Sequence, residues 1–124
     1  MKRSSVEQLV ELMTGPPVRG AHQIGPKKQF ATLGRKVARL VAEQLGWAAG
    51  SYQVRFNPSG EAASGEVILH GERLYVQFSQ MGVLYRSCAG QKDYCGGANQ
   101  WLRWEKLADL TEACQRFRCV AGGG

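Results

Sequence analysis

No apolar run in this sequence approaches the roughly 20 residues that a membrane-spanning helix needs. Residues 1–15, MKRSSVEQLVELMTG, also lack the uninterrupted apolar core of a secretory signal, because Glu7 and Glu11 interrupt it. Together these two absences predict a cytoplasmic protein with no membrane partner. In that compartment the four cysteines are expected to be reduced thiols, and metal ligation is the less favoured alternative.

The sequence is also poor in the groups that catalysis commonly uses. His22 and His70 are the only imidazoles, and nothing in the sequence places either of them near Cys95, so a cysteine nucleophile would lack its base. No second carboxylate is tied to Asp93 by spacing, and residues 90–97 contain neither of the glycine-rich phosphate-binding motifs. We therefore predict a non-catalytic protein with no catalytic residue and no cofactor.

Carboxylates are missing from the whole stretch between Glu11 and Glu43, although the formal net charge of the chain is +6. The cations in this stretch are Arg19, Lys27, Lys28, Arg35, Lys36 and Arg39. This concentration of positive charge favours a polyanionic partner such as DNA or RNA, but a solvated basic helix face would give the same pattern.

The overall composition is that of one globular domain. In 124 residues, the apolar fraction of 44% and the charged fraction of 21% are close to ordinary values, and a chain of this length can bury a real core. We predict a single α+β domain at residues 27–120. An N-terminal helix and flexible arm at residues 1–26 would precede it, and a flexible tail at residues 121–124 would follow it.

Helical periodicity appears in three places. Ser4 and Glu7 form a capping box before a short amphipathic helix, which Gly15 and two prolines end. A longer helix is expected at about residues 28–45, with Gly34 as a weak point inside it and Gly46 as its stop.

The third periodic segment predicts a C-terminal helix that covers the sheet. Apolar residues follow helical spacing from Trp104 to Phe117, but Asp109 and Glu112 make a second capping box. The helix could therefore begin or restart at Leu110, with residues 101–106 forming a separate turn or a short strand.

From residue 51 onward the apolar residues alternate with a period of two, which is typical of half-buried strands. We predict four strands, at residues 52–56, 66–70, 73–79 and 83–88, with a tight turn at Gly71 and Glu72. Short connections between successive strands favour an antiparallel meander. The predicted fold is thus a four-stranded antiparallel sheet packed with the long helix and the C-terminal helix, plus the short N-terminal helix.

Residues 84–104 concentrate thiols, rings, glycines and cations in one connection. The cysteines of the chain lack the two-residue spacing of a zinc knuckle, so a zinc site or a reactive thiol at Cys88 and Cys95 is only a weak alternative. Cations interleaved with aromatic rings could instead hold phosphates and stack on bases. The competing interpretation is that Trp101 or Trp104 simply anchors the helix to the sheet.

We therefore predict, first, a nucleic-acid-binding module. Its expected contact residues are Lys27, Lys28, Arg35, Lys36, Arg39, Arg86, Lys92, Tyr94, Trp101 and Arg103. The alternative is a protein-interaction or inhibitor domain, which would use the N-terminal amphipathic helix and the tryptophan-rich loop as its anchor surface. A thiol- or zinc-dependent activity is the third and least favoured interpretation.

Overall fold

A computed structural model describes residues 4–14, 24–57, 65–79, 81–88 and 98–122 of this chain. Its elements, in chain order, are α1 (Ser5–Thr14), α2 (Ile24–Gln44), β1 (Gln53–Asn57), β2 (Glu66–His70), β3 (Leu74–Ser79), β4 (Gly82–Ser87), β5 (Gln100–Leu102), α3 (Trp104–Leu107) and α4 (Leu110–Gly122). The predicted α+β class is confirmed. Of the arm predicted to run from the end of α1 to residue 26, residues 15–23 lie outside the described residues and residues 24–26 belong to the first turn of α2.

The sheet has five antiparallel strands in the order β1-β2-β3-β4-β5, so the meander is confirmed but the predicted count of four is wrong. The additional strand is β5, which overlaps the segment expected to form a turn or a short strand; its Trp101 pairs with Leu84 of β4. Three residues are too few to show an alternating pattern, and the pairing that makes them a strand is with residues far away in the sequence. Local periodicity therefore could not separate this segment from a turn.

Strand pleating gives the sheet two different faces. On the helix face, side chains such as Val67, Val76 and Tyr85 join the main core with the helices. Here α2 packs on β1 and β2, α4 packs on β3 and β4, and α1 packs on α2 and α3. The open face carries the intervening side chains, and a small separate cluster of Ile68, Tyr75, Leu84 and Cys88 lies there.

Helix α2 lies close to the sheet because of Gly34. A Cβ atom at this position would lie only 2.7 Å from Cγ2 of Val67, so the residue that weakens the helix intrinsically is also the one that permits its approach to β2. The predicted stop is confirmed as well: Gly46 has a φ of 78°, and the amide of Trp47 donates to the carbonyl of Ala42 at 3.0 Å.

At both predicted capping boxes the first side chain caps the helix, although the return bond from the glutamate side chain to the backbone amide of the cap residue is not formed. The amide of Glu7 donates to Ser4 Oγ at 3.1 Å, and α1 buries Val6 and Leu9 in the main core. At the other end, the amide of Glu112 donates to Asp109 Oδ1 at 3.1 Å, so α4 begins at Leu110 and the short helix α3 stands before it.

Trp104 anchors α3 to the sheet, as the competing interpretation expected. Its side chain is buried, its Nε1 donates to the carbonyl of Ser79 at 2.8 Å, and its ring packs beside Phe78. This tryptophan is therefore part of the core and contributes to the stability of the fold.

Candidate nucleic-acid interface

Four predicted contact residues share the solvent side of α2. At roughly 100° of rotation per residue, their side chains fall within an arc of about 100°. All four are exposed, whereas Phe30 and Val37 on the opposite side of the helix are fully buried against the sheet. We call this surface the α2 cationic face; it consists of Lys28, Arg35, Lys36 and Arg39. Lys27 belongs to the same helix, but its side chain is outside the described part.

The α2 cationic face keeps its charges available. Within the described residues none of its four side chains forms an ion pair, and the surface pair that the structure does show joins Arg116 to Glu112 in α4. Glu43 is the one carboxylate in α2, at its C-terminal end. The Arg35 guanidinium lies 5.6 Å from the centroid of the Phe56 ring, which orients it without neutralising it. The face therefore presents a net positive field to solvent.

Arg86, another predicted contact residue, lies on the open face in a different environment. It is half-buried, and its guanidinium carbon lies 4.2 Å from the centroid of the Tyr75 ring. Next to it, Arg55 donates from Nη2 to Nδ1 of the fully buried His70 at 3.1 Å, and the His70 ring packs edge-on to Tyr75. These four residues form a connected row across the strands, so both arginines already have partners inside the protein.

Trp101 also lies on the open face, opposite Leu84, and 52% of its surface is exposed. Its ring covers Gly82, where a Cβ atom would lie 3.5 Å from Cε3 of the indole. Arg103 is exposed in the residue before α3. The predicted residues Lys92 and Tyr94 lie outside the described part of the chain.

The sheet separates the predicted contact residues that the structure describes. The α2 cationic face lies on the helix side of the sheet, with Arg35 reaching the Phe56 ring of β1, whereas Arg86 and Trp101 are on the opposite face. A single flat surface cannot touch both groups at once. Phosphate contacts by α2 and base stacking on Trp101 are therefore two separate possibilities, although both sets of residues are among the expected contact residues.

The cysteines divide by burial. The thiol of Cys88 is buried on the open face and donates to the carbonyl of Gly71 at 3.4 Å, while Cys95 is outside the described residues. Burial raises the pKa of the Cys114 thiol to about 11, although the charge of Arg118 partly opposes this rise. Across the described segments, no cluster of three or more histidine, cysteine or acidic side chains could hold a metal ion.

Two surface depressions involve residues that the sequence did not single out. One, of about 410 Å³, lies at the end of α2 and includes Trp47, Arg73 and Arg118; Arg118 also donates to the last carbonyl of α2, that of Gln44. The other lies between β4 and α4. Both depressions are lined by residues that are distant in the sequence. They exist only because α4 packs on the helix face of the sheet, so the sequence does not indicate them.

No protein-family model, no curated protein and no solved structure matches this chain. Among the helices that the structure describes, none combines the length and apolar character that crossing a membrane requires. Support for a functional site therefore comes from the position, exposure and charge of the residues themselves.

Proposed function

We propose that this chain is a non-catalytic nucleic-acid-binding module and that the α2 cationic face contacts the phosphates. One observation carries the proposal: four exposed cations lie on one side of a single helix, with no ion pair to any described residue. From Lys28 to Arg39 the helix rises about 16 Å, at roughly 1.5 Å per residue. Over such a length a nucleic acid duplex presents about ten negative charges.

The core behind this face supports a binding role. Phe30, Val37 and Val41 are fully buried against the sheet, so the backbone of α2 is held firmly while its outer side chains remain in solvent. Only the side chains then need to be ordered when a partner binds, which keeps the entropic cost of binding low.

The chemistry of this face also predicts what kind of nucleic acid it binds. It offers cations and carries no exposed aromatic side chain among its described residues, because Phe56 lies half-buried beneath Arg35. Phosphate contacts position a protein without reading the sequence of the bases. We therefore expect duplexes and single strands of mixed sequence to bind comparably, with weak sequence preference.

The proposal predicts how strongly the binding affinity depends on salt concentration. Four phosphate contacts predict that log K falls with log salt concentration with a slope of about −3 to −4. Raising the salt from about 50 to about 200 mM should then weaken binding roughly 60- to 250-fold.

The direct experiment reverses two charges, Lys36→Glu together with Arg39→Glu, and measures binding to fluorescent 20-nucleotide single and double strands. We expect a loss of about 100-fold, because two phosphate contacts become repulsive. The matched control, Arg73→Glu with Lys106→Glu, has the same change in net charge on exposed residues elsewhere. An equal loss in both variants, or no binding by the unmodified protein at low salt, would refute the proposal.

A protein partner is the second candidate, and one observation favours it. The exposed large apolar side chains in the described part are Met81, at 67% exposure, and Trp101, at 52%. They are close together, because the Trp101 ring covers Gly82, the residue after Met81. Large apolar side chains of this kind are common anchors of protein interfaces. The N-terminal helix does not share this role through Val6 and Leu9, which are buried in the core.

This second candidate has its own experiment. A partner captured from nuclease-treated lysate must be identified, purified and shown to bind the chain directly. The double variant Met81→Ala with Trp101→Ala should then lose the complex, while Lys36→Glu with Arg39→Glu should keep it. Loss of the complex on nuclease treatment would instead show that nucleic acid holds the two proteins together.

A further inference from the structure

A cleft of about 500 Å³ lies where the ends of β4 and β5 face the last turns of α4, and we call it the β4–α4 cleft. Its main lining residues are Tyr85, Ser87, Gln100, Arg116, Cys119 and Val120. Its size is within the usual range for sites that hold small molecules. None of the described residues that line it is acidic.

Tyr85 is the most informative residue of the β4–α4 cleft. Only 4% of it is exposed, and its ring packs edge-on against Phe117 with 5.0 Å between centroids. In the described structure the Tyr85 hydroxyl has no hydrogen-bond partner. Its oxygen is not fully enclosed by protein atoms, so it can be reached from outside. A buried tyrosine ordinarily pairs its hydroxyl. Because Tyr85 lines the cleft and the hydroxyl is its one polar side-chain group, this hydroxyl is available to donate a hydrogen bond to a ligand in place of water.

Two further polar side chains converge with Tyr85. Gln100 is its cross-strand partner, and Ser87 is two residues farther along β4, so all three lie on the helix face of the sheet. Neither Ser87 nor Gln100 uses its side chain in a hydrogen bond within the described part of the chain. The sheet side of the cleft therefore offers three groups that can donate hydrogen bonds.

The helix side of the cleft supplies the charge. Arg116 and Val120 are four residues apart on α4 and hence on the same side of the helix. The Arg116 guanidinium lies 3.6 Å from Glu112 Oε1, but both side chains are about half exposed. Surface pairs of this kind are weak, so Arg116 can exchange Glu112 for a ligand at little cost.

We propose that the β4–α4 cleft binds a small molecule that carries a carboxylate or phosphate group. Arg116 supplies the charge that holds the oxyanion, and Tyr85 and Ser87 donate hydrogen bonds to its oxygens. Val120 contacts the apolar part of the ligand. The proposal goes beyond nucleic-acid binding, because no residue of the α2 cationic face lines this cleft.

Cys119 provides a built-in reporter, since its exposed thiol lies in the cleft. The probes are phenyl phosphate, phenylacetate and inorganic phosphate, and the measurement is the rate at which iodoacetamide alkylates Cys119. Cleavage after lysine and arginine puts each of the four cysteines in a different peptide, so mass spectrometry reads Cys119 alone. We expect at least one probe to slow alkylation saturably, by about fivefold or more, while potassium chloride of equal ionic strength does not.

Two variants test the assigned contacts. Arg116→Ala should weaken the binding of the protecting probe by about 10- to 100-fold, because it removes a charged hydrogen bond. Tyr85→Phe keeps the ring packing and removes only the hydroxyl, so it should weaken binding by about 3- to 10-fold. Lys106→Ala, an exposed change outside the cleft, is the control and should leave protection unchanged.

Each outcome decides the proposal. Protection by phenyl phosphate alone assigns a phosphate ligand, and protection by phenylacetate alone assigns a carboxylate. Absence of saturable protection by all three probes, or equal protection in Arg116→Ala and the unmodified protein, would overturn it. The variant Lys36→Glu with Arg39→Glu should retain protection, so failure of the nucleic-acid proposal and failure of this one give different results.

Discussion

Arginines occur in two regions of this molecule with opposite surroundings. On the open face, Arg86 covers the ring of Tyr75 and Arg55 donates to His70, and both arginines are half-buried. On the α2 cationic face, Arg35 and Arg39 are exposed and have no ion pair with any described residue. The first pair is engaged within the protein, whereas the second is available to a partner.

The same contrast is seen in two other residue types. Trp104 is buried and hydrogen-bonded, whereas Trp101 is half exposed on the other side of the sheet. Cys114 is buried, whereas Cys119 is exposed. Residue type alone therefore does not distinguish a structural role from a binding role. The burial and the contacts of each residue make that distinction.

The largest expected effect concerns the tryptophans. Trp104→Ala should lower the free energy of unfolding by about 3 to 5 kcal/mol, because it opens a core cavity and leaves the carbonyl of Ser79 without its donor. Trp101→Ala should change it by less than about 1 kcal/mol. Urea denaturation of both variants measures the difference. Equal losses would show that Trp101 also stabilises the core.

The cysteines give a pH-dependent prediction. Burial raises the pKa of the Cys114 thiol from its ordinary value of 9.0 to about 11. Above pH 9 the unfolded thiol ionises while the folded one keeps its proton, so the free energy of unfolding falls with rising pH until about pH 11. The expected loss is about 2 to 3 kcal/mol over this window, and none arises from Cys114 below it.

Other groups also titrate above pH 9, so the Cys114 prediction needs a matched variant. Cys114→Ala should show a smaller decrease in stability between pH 9 and 11 than the unmodified protein, and Cys119→Ala should behave like the unmodified protein. Identical pH profiles for the unmodified protein and Cys114→Ala would contradict the assigned burial effect.

The smallest expected effect concerns the arginines. Arg86→Ala should lower the free energy of unfolding by about 1 to 2 kcal/mol, because it removes the partly buried cation–π contact with Tyr75. Arg39→Ala should change it by less than about 0.5 kcal/mol, as is usual for an exposed side chain. Thermal or urea denaturation checks both values. A larger loss for Arg39→Ala would show that the α2 cationic face has a structural role.

Local patterns were sufficient to predict much of this fold. The helix caps at Ser4 and Asp109 and the stop at Gly46 depend on neighbouring residues, and all three are present. The sequence leaves residues 101–106 open between a turn and a short strand, because only the pairing with β4 makes β5 a strand. Gly34 is likewise a weak point of α2 by local propensity, and only the tertiary closeness of the helix to Val67 explains its presence.

The candidate site could be predicted only in part. Helical spacing predicts that the cations of α2 lie on one side of the helix, and in the structure they do. Which face of the sheet carries Trp101 depends on the register between β4 and β5, and a shift of one residue would reverse it. Sequence reasoning therefore could not know that the sheet separates Trp101 from the α2 cations. The β4–α4 cleft forms only when α4 packs on the sheet, so no local sequence pattern indicates it.

The central claim is that the α2 cationic face, and not the open face, contacts phosphates. The most direct test is the slope of log K against log salt concentration for duplex binding by two double variants. Lys36→Ala with Arg39→Ala should make this slope less steep by about 2, since each lost phosphate contact removes about 0.9. Arg86→Ala with Trp101→Ala should leave it unchanged. The reverse result, a smaller slope only in the second variant, would place the phosphates on the open face and contradict the claim.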